Sequence, residues 1–187
     1  MRQYIIGILC IFALSGCCKD ESQWVTFIGD SEIARWDLQY YFPTLLTENM
    51  GLSGSGIKYL ENCAGRINGK IAVVLCGTND ISAEHIEPAE YATLFLEAVK
   101  NLAARHTYII SVLPREFEGD SININEKIAL LNENIKLEAD RQGFTYIDIY
   151  PLLLKDGTLN RQYSHDGLHL NDLGYEVMAK ELKKHLE

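Results

Sequence analysis

Short apolar runs alternate with longer amphipathic stretches along the chain from Trp24 onward. The apolar runs have few polar positions, which is typical of strands that are buried on both faces of a sheet. They cover residues 24–28, 71–76, 108–113 and 145–149. Strands separated by helices that are long enough to cross over form a parallel sheet with helices on both faces. The pattern therefore predicts an α/β fold.

The stretches between these runs carry apolar residues at helical spacing. The predicted helices are residues 32–42, which end before Pro43, residues 57–67, a long helix from Pro88, a helix with its apolar face at Ile124, Ile128, Leu131 and Ile135, and a last helix from Asn171. Proline is tolerated in a first helical turn, and asparagine is a good N-cap. Residues 151–170 have no regular period and are predicted to form a long loop, a length that is often functional.

Three polar blocks stand out against this pattern. Gly29-Asp30-Ser31 follows the first strand, Gly77-Thr78-Asn79-Asp80 follows the second, and Asp166-Gly167-Leu168-His169 lies in the long loop. Ligands of parallel α/β sheets bind outside the carboxyl ends of the strands. The first two blocks are therefore expected at one binding edge. Asp30 and Asp80 are expected to hold their loops by hydrogen bonds from backbone to side chain.

These blocks contain the residue types of nucleophilic catalysis. Ser31 is predicted at the positive end of a helix, where N–H groups stabilise an oxyanion, and a serine needs a neighbouring imidazole and carboxylate to become a nucleophile. Asp166 and His169 are only three positions apart, so both side chains can lie at the same edge of the site. The Asn79 amide and the Gly54 N–H are further oxyanion donors. Taken singly, these residues also fit plain structural roles as a helix cap, a helix-preceding histidine, a turn residue and a loop glycine.

Four blocks in this order resemble the SGNH, or GDSL-type, hydrolase family over nearly the whole stretch 24–171. They are Phe27-Ile28-Gly29-Asp30-Ser31, Asn49-Met50-Gly51-Leu52-Ser53-Gly54, Gly77-Thr78-Asn79-Asp80 and Asp166-Gly167-Leu168-His169. The resemblance implies a three-layer α/β/α sandwich with a flavodoxin-like parallel sheet of about five strands. It also implies roles for the site residues: Ser31 as nucleophile, His169 as general base and acid, Asp166 as its orienting partner, and an oxyanion hole of Ser31 N–H, Gly54 N–H and the Asn79 side chain. Glu32 departs from the aliphatic residue or threonine that often follows the family's serine.

Other catalytic chemistries find little support in the sequence. Asp166 and His169 lack the further ligands that a Cys cluster, a His-x-His or a His-Glu-x-x-His pattern would supply, so no metal is expected. A glycine-rich phosphate loop followed by lysine is also absent, and no cofactor is expected. Residues 51–55 miss a Gly-x-Ser-x-Gly elbow at the last glycine, which disfavours the other common α/β serine hydrolase fold.

Composition limits the size of the protein and its partners. The 187 residues are 47% hydrophobic, which suits one domain with a full core. With 17 Lys+Arg against 26 Asp+Glu, the chain carries a net charge of -9 and lacks the basic field that nucleic-acid binding needs. Nucleic acid is therefore not an expected partner, and the oligomeric state stays open.

The N-terminus has the organisation of a targeting segment. Arg2 precedes an apolar run over residues 4–14, which is too short for the about 20 residues that a spanning helix needs. The run ends in Leu14-Ser15-Gly16-Cys17, which resembles the lipobox of bacterial lipoproteins, in which the cysteine is acylated and becomes the mature N-terminus. An ordinary signal peptide cut elsewhere and a cytosolic apolar N-terminus are the alternatives.

The predicted layout is a lipoprotein signal peptide at 1–16, a tether at 17–23 and an SGNH hydrolase domain at 24–187. Residues 18–21, Cys-Lys-Asp-Glu, are similar to the tract that sends some Gram-negative lipoproteins to the outer face of the outer membrane. We therefore expect a cell-envelope protein, exposed at the outer membrane, with the lipid anchor as its only membrane contact. Cys76 is interpreted as a buried thiol rather than as a disulfide partner of Cys63.

The predicted activity is that of a serine esterase that cleaves small acyl esters through an acyl-enzyme. Acetyl groups on carbohydrate are favoured, because the chain has no room for a lid domain and is expected outside the cell, so its substrate is a small-molecule or glycan ester. A lysophospholipase or thioesterase is one alternative, and an acyltransferase is another. The alternative from a different class is a surface glycan-binding lipoprotein with little catalysis.

Overall fold

A computed structural model describes residues 24–68, 70–83 and 87–186 of the chain. Its centre is a five-stranded parallel sheet in the order β2-β1-β3-β4-β5. The strands are β1 (Trp24–Gly29), β2 (Leu46–Gly51), β3 (Ile71–Leu75), β4 (His106–Ile110) and β5 (Thr145–Ile147). This is the flavodoxin-like order, in which the chain changes direction across the sheet between β1 and β3. The predicted fold class is confirmed.

Helices connect the strands and cover both faces of the sheet. They are α1 (Ser31–Arg35), α2 (Leu38–Tyr41), α3 (Ile57–Asn62), α4 (Thr78–Ala83), α5 (Pro88–Asn101), α6 (Ile124–Gln142), α7 (Tyr150–Leu153) and α8 (Asp172–Leu186). A two-stranded hairpin, β6 (Leu154–Lys155) and β7 (Thr158–Leu159), and a 3-10 turn (Arg161–Tyr163) precede α8. Among the described residues, no helix has the length and apolar content to cross a membrane.

Alternate residues of the strands pack into two separate hydrophobic cores, one on each face of the sheet, because successive side chains of a strand point to opposite faces. Ile28 and Val74 face the core formed with α3, α5 and α6. Phe27 and Val73 face the core formed with α1, α2 and α8. The central strands are therefore buried on both sides, which makes the molecule a three-layer sandwich.

The strand β2 is missing from the sequence prediction. Its residues are only partly buried, because it is an edge strand that pairs with β1 alone. An edge strand with one exposed side needs no continuous apolar run, so Leu46–Gly51 carries no strand pattern in sequence.

The single helix predicted for residues 32–42 is in fact two short helices. The chain leaves α1 at Trp36, whose side chain is buried, and Asp37 then caps α2 by accepting from Tyr40 N–H at 3.1 Å. Burial of Trp36 and the new cap at Asp37 accompany this break in the helix. The predicted loop 151–170 likewise contains short regular pieces. Cys63 and Cys76 are free, buried thiols, in agreement with the interpretation of Cys76.

Two glycines let α1 and its neighbouring strands pack at backbone contact. A Cβ atom on Gly29 would lie 1.8 Å from the Leu75 carbonyl oxygen, and one on Gly51 would lie 2.1 Å from the Ala34 nitrogen. Both distances are far below van der Waals contact, so neither position accepts a side chain without movement of the backbone. The start of α1 is therefore held tightly at the carboxyl edge of β1, β2 and β3.

Candidate active site

The predicted nucleophile lies at the carboxyl end of β1, where Ser31 opens α1 and is 7% exposed. Asp30 caps this helix by accepting from Glu32 N–H at 3.0 Å, and its own N–H donates to the Leu75 carbonyl oxygen at 3.2 Å. These bonds fix the turn from strand to helix, as expected for Asp30. Because Ser31 is in the first turn of α1, its N–H has no acceptor within the helix and lies at the positive end of the helix dipole.

The predicted oxyanion donor Asn79 is hydrogen-bonded to Ser55, the residue after the other predicted donor, Gly54. Asn79 lies in the first turn of α4, and its side-chain nitrogen donates to the Ser55 carbonyl oxygen at 2.8 Å. The Ser55 hydroxyl donates to the Gly29 carbonyl oxygen at 3.0 Å, which ties this loop to the end of β1. Gly54 has a φ of 76°, a left-handed conformation that favours glycine. An amide nitrogen has two hydrogens, so Asn79 keeps a second donor for a ligand.

Asp80 anchors the loop that carries Gly54 and Ser55, here called the donor loop, as predicted for this residue. Its carboxylate accepts from Ile57 N–H at 2.9 Å and from the Tyr91 hydroxyl. A Cβ atom on Gly56 would lie 1.9 Å from the Asp80 carboxylate, so the loop needs glycine to approach it this closely. The donor loop is thus fixed to both α3 and α4.

Asp166 and His169 form a direct pair in the segment before α8. Asp166 Oδ2 lies 2.7 Å from His169 Nδ1, and Asp166 Oδ1 accepts the N–H groups of Leu168 at 2.9 Å and of His169 at 2.7 Å. Partial burial acts to raise the pKa of Asp166, but the hydrogen bonds from His169 and Leu168 outweigh it and hold that pKa well below its usual range. A carboxylate beside Nδ1 favours the tautomer with its proton on Nδ1, which leaves Nε2 free to accept a proton.

The residues around this pair are held by backbone contacts with the loop after β4. Glu116 N–H donates to the Gly167 carbonyl oxygen at 2.7 Å, and Gly167 N–H donates to the Ser164 hydroxyl at 2.9 Å. A Cβ atom on Gly167, which has a φ of 78°, would lie 2.1 Å from the Glu116 carbonyl oxygen. Arg161 also bonds the Glu116 side chain. Residues 164–170, here called the His169 segment, are therefore attached to the loop after β4 at Glu116.

Glu32 is the site residue to which the sequence prediction assigned no role. Its side chain is 4% exposed, and its carboxyl oxygens accept from Leu170 N–H at 3.2 and 3.5 Å. Burial, reinforced by the charge of Asp30, raises the pKa of Glu32 to about 8. Burial and the charge of Asp80 raise the pKa of Asp30 to about 7. Two features of the sequence could have indicated a role for Glu32: it follows Ser31 directly, and it replaces the aliphatic residue or threonine that is common at this position.

A small cavity of about 10 Å³ lies between α1 and the loop after β4. Ser31, Glu32, Thr78, Arg115 and Leu168 are among its lining residues. The buried Arg115 guanidinium is bonded to Asp120 and to the Thr78 carbonyl oxygen, so it stabilises the wall of this cavity.

Within the described ranges, no cluster of three or more His, Cys, Asp or Glu side chains is placed to hold a metal ion.

Comparison with known proteins gives a family and a common fold. The model of the GDSL-like Lipase/Acylhydrolase family matches residues 27–177, which is more than half of the chain. A curated relative, the N-acylneuraminate cytidylyltransferase of Escherichia coli O18:K1:H7 (strain RS218 / NMEC), is 30% identical over 171 residues. That match covers 84% of this chain, which spans only 39% of the length of the relative.

Solved structures cover most of the chain. A Streptococcus pneumoniae protein described as a candidate platelet activating factor is 27% identical with a TM-score of 0.73, and the match covers 92% of this chain and 87% of that one. A GDSL-like lipase from Bacteroides thetaiotaomicron is 22% identical, with a TM-score of 0.75 and 88% of each chain covered. An acetylxylan esterase from Geobacillus stearothermophilus is 14% identical, with a TM-score of 0.66 and with 89% and 94% covered. The last two matches show the fold alone.

The raised pKa of Glu32 predicts a specific dependence of stability on pH. Between the usual value of 4.5 and about 8, the unfolded chain has lost the Glu32 proton while the folded chain keeps it. The free energy of unfolding therefore falls as pH rises through this window and levels off above it. Glu32→Gln should remove this contribution, which is at most about 5 kcal/mol.

Urea unfolding at pH 5 and pH 8.5 checks this expectation. The Gln variant should gain stability relative to the wild type between the two pH values. Glu138→Gln, at a surface ion pair on α6, serves as the control and should follow the wild type. An unchanged difference between Glu32→Gln and the wild type at the two pH values would contradict the assignment.

Proposed function

This chain belongs to the GDSL-like lipase and acylhydrolase family, and on that premise we propose that it is a serine esterase that removes small acyl groups, above all acetyl, from carbohydrate through an acyl-enzyme at Ser31. The observation that carries the proposal is the 2.7 Å contact between Asp166 and His169 Nδ1. It leaves Nε2 as the base, on a segment that is bonded to the helix of Ser31 through Leu170 and Glu32.

The first half of the reaction transfers the acyl group to the enzyme. The Ser31 hydroxyl oxygen bonds to the ester carbonyl carbon while His169 Nε2 takes its proton. The carbonyl oxygen becomes an oxyanion that accepts from Ser31 N–H, Gly54 N–H and the free hydrogen of the Asn79 amide. Collapse of this intermediate breaks the bond to the alcohol oxygen, to which His169 returns the proton. The sugar alcohol leaves, and the acyl group stays on Ser31.

The second half returns the enzyme to its starting state. His169 Nε2 takes a proton from water, and the water oxygen bonds to the acyl carbon in the same oxyanion hole. The bond to Ser31 then breaks, the serine oxygen regains a proton from His169, and the free acid leaves. Throughout both halves Asp166 stays ionised, as its lowered pKa allows, and stabilises the imidazolium.

The proposed substrate class rests on the size of the site and on the names of similar proteins. The cavity beside Ser31 is small, which disfavours a long acyl chain there. One structural relative is named as an acetylxylan esterase. A lipid-ester hydrolase is the second candidate, favoured by the structure described for platelet activating factor. A surface glycan-binding protein would not need the Asp166 and His169 pair.

A lipid anchor at Cys17 is the second part of the proposal. Residues 1–16 and 17–23, the signal peptide and the tether, and Cys17 itself lie outside the described residues. The lipobox-like quartet at 14–17 supports acylation of Cys17 and a location in the cell envelope, at the outer membrane and exposed to the surface. The anchor would then keep the esterase near glycans outside the cell.

Removal of the nucleophile and of one oxyanion donor should have different effects on ester hydrolysis. Ser31→Ala should lower kcat for p-nitrophenyl acetate by about 10⁴-fold or more, because no covalent step remains. Asn79→Ala should lower kcat by about 100- to 1,000-fold. Asn134→Ala, an exposed amide on α6, is the matched control and should keep wild-type kcat. Full activity of Ser31→Ala would refute the mechanism.

A panel of esters separates the two substrate classes. We expect kcat/KM for acetylated xylo-oligosaccharides and p-nitrophenyl acetate to exceed that for p-nitrophenyl octanoate by about tenfold or more, because a longer chain outgrows the cavity. Lysophosphatidylcholine should be a poor substrate. A preference for the octanoyl ester or for the phospholipid would instead support the lipid-ester hydrolase.

Acylation of Cys17 can be tested in a bacterial host. Wild-type protein should incorporate labelled palmitate and sediment with membranes, because the mature N-terminal cysteine carries acyl chains. Cys17→Ser should lose both properties, whereas Cys18→Ser, the neighbouring control, should keep them. Equal labelling of the two variants would show that Cys17 is not the anchor.

A further inference from the structure

The residue after the proposed nucleophile contacts the residue after the proposed base. Leu170 N–H donates to the Glu32 carboxyl oxygens at 3.2 and 3.5 Å, across 138 positions of sequence. Both residues are buried, with 4% of Glu32 and 7% of Leu170 exposed. Because Glu32 adjoins Ser31 and Leu170 adjoins His169, this hydrogen bond joins the backbones that carry the two reacting groups.

A buried carboxyl group is costly unless it makes a specific contact. No ion pair of Glu32 occurs within the described ranges, where its carboxyl group accepts from Leu170 N–H and also lies beside the Tyr175 hydroxyl. The groups that face it are Asp30 and Arg35 on its own segment and Tyr175 from α8, whose hydroxyl donates to the Glu32 carbonyl oxygen. A leucine or methionine would fill the same space at lower cost, so the polar contact itself needs an explanation.

The other anchors of the His169 segment do not reach the nucleophile. The bonds of Gly167 and Arg161 with Glu116 attach the segment to the loop after β4. Among the described residues, the contact of Leu170 with Glu32 is the hydrogen bond that joins this segment directly to α1. Without it, the nearest hydrogen bond between α1 and the chain after His169 is that of the Tyr175 hydroxyl with the Glu32 carbonyl oxygen, five residues beyond Leu170.

We propose that Glu32 is a positioning residue for the base: its carboxyl group holds Leu170 N–H and thereby fixes His169 relative to Ser31. This inference rests on the proposed function, since it assigns Glu32 a role in that reaction. Displacement of a reacting group by about 1 Å costs about 100-fold in rate, so one tether of this kind has a large effect on kcat. Substrate binding does not involve this bond, so KM should hardly change.

Three variants separate the hydrogen bond from the packing. Glu32→Gln keeps an acceptor oxygen at the same reach, Glu32→Met keeps the length without an acceptor, and Glu32→Asp keeps the carboxyl group but shortens its reach. Tyr41→Phe is the matched control. The Tyr41 hydroxyl donates to the Asp172 carbonyl oxygen at 3.1 Å, so it also tethers the start of α8, but at a position two residues beyond Leu170. The kcat and KM of all four variants for p-nitrophenyl acetate are compared with those of the wild type. The concentration of active sites, by which kcat is calculated, is measured by titration with a fluorophosphonate.

Glu32→Met and Glu32→Asp should lower kcat by about 10- to 100-fold with KM within about twofold, whereas Glu32→Gln and Tyr41→Phe should stay within about threefold of wild type. If Glu32→Met does not fold by circular dichroism, Glu32→Asp carries the test. Wild-type kcat in the Met or Asp variant, an equal loss in Gln and Met, or an equal loss in Tyr41→Phe would each overturn the inference. An inactive, unlabelled wild type would instead overturn the proposed function, and this inference with it.

Discussion

The placement of β1 between β2 and β3 is the constraint on which the site depends. Gly29 pairs with Gly51 on one side and with Leu75 on the other, so three strand ends meet at one edge of the sheet. The chain that leaves this edge supplies Ser31 from β1, the Gly54 loop from β2 and Asn79 from β3. Because parallel strands have all their carboxyl ends at one edge, a short chain gathers these groups without a second domain.

The buried carboxyl groups of Asp30 and Glu32 and the partly buried one of Asp80 lie at this edge and serve different purposes. Asp30 and Asp80 accept backbone N–H groups and shape the turns that present Ser31 and the donor loop. Glu32 accepts from Leu170, which is far away in sequence. Burial raises the pKa values of Asp30 and Glu32, so folding is less favourable at higher pH, and the site gains its fixed geometry at a cost in stability.

The sequence predicted the parts of the fold that depend on local pattern. The apolar run of β3 and the helical spacing after Pro88 are properties of neighbouring residues, and the structure has β3 at Ile71–Leu75 and a helix at Pro88–Asn101. The edge strand β2 lacked such a pattern because one side of it needs no burial. The Asp166 and His169 pair was readable because three positions separate the two residues. The contact of Glu32 with Leu170 was not, because only the folded chain brings them together.

The central claim is that Ser31 carries the acyl group during turnover, and the trapped intermediate tests it most directly. The wild-type protein is mixed with excess p-nitrophenyl acetate, quenched in acid within the first turnovers, digested and analysed by mass spectrometry. The account predicts that the peptide containing Ser31 gains the mass of one acetyl group, and that Ser31→Ala shows no acetylated peptide in the same region. Hydrolysis of the ester without acetylation of Ser31, or stable acetylation at another residue that accounts for turnover, would contradict it.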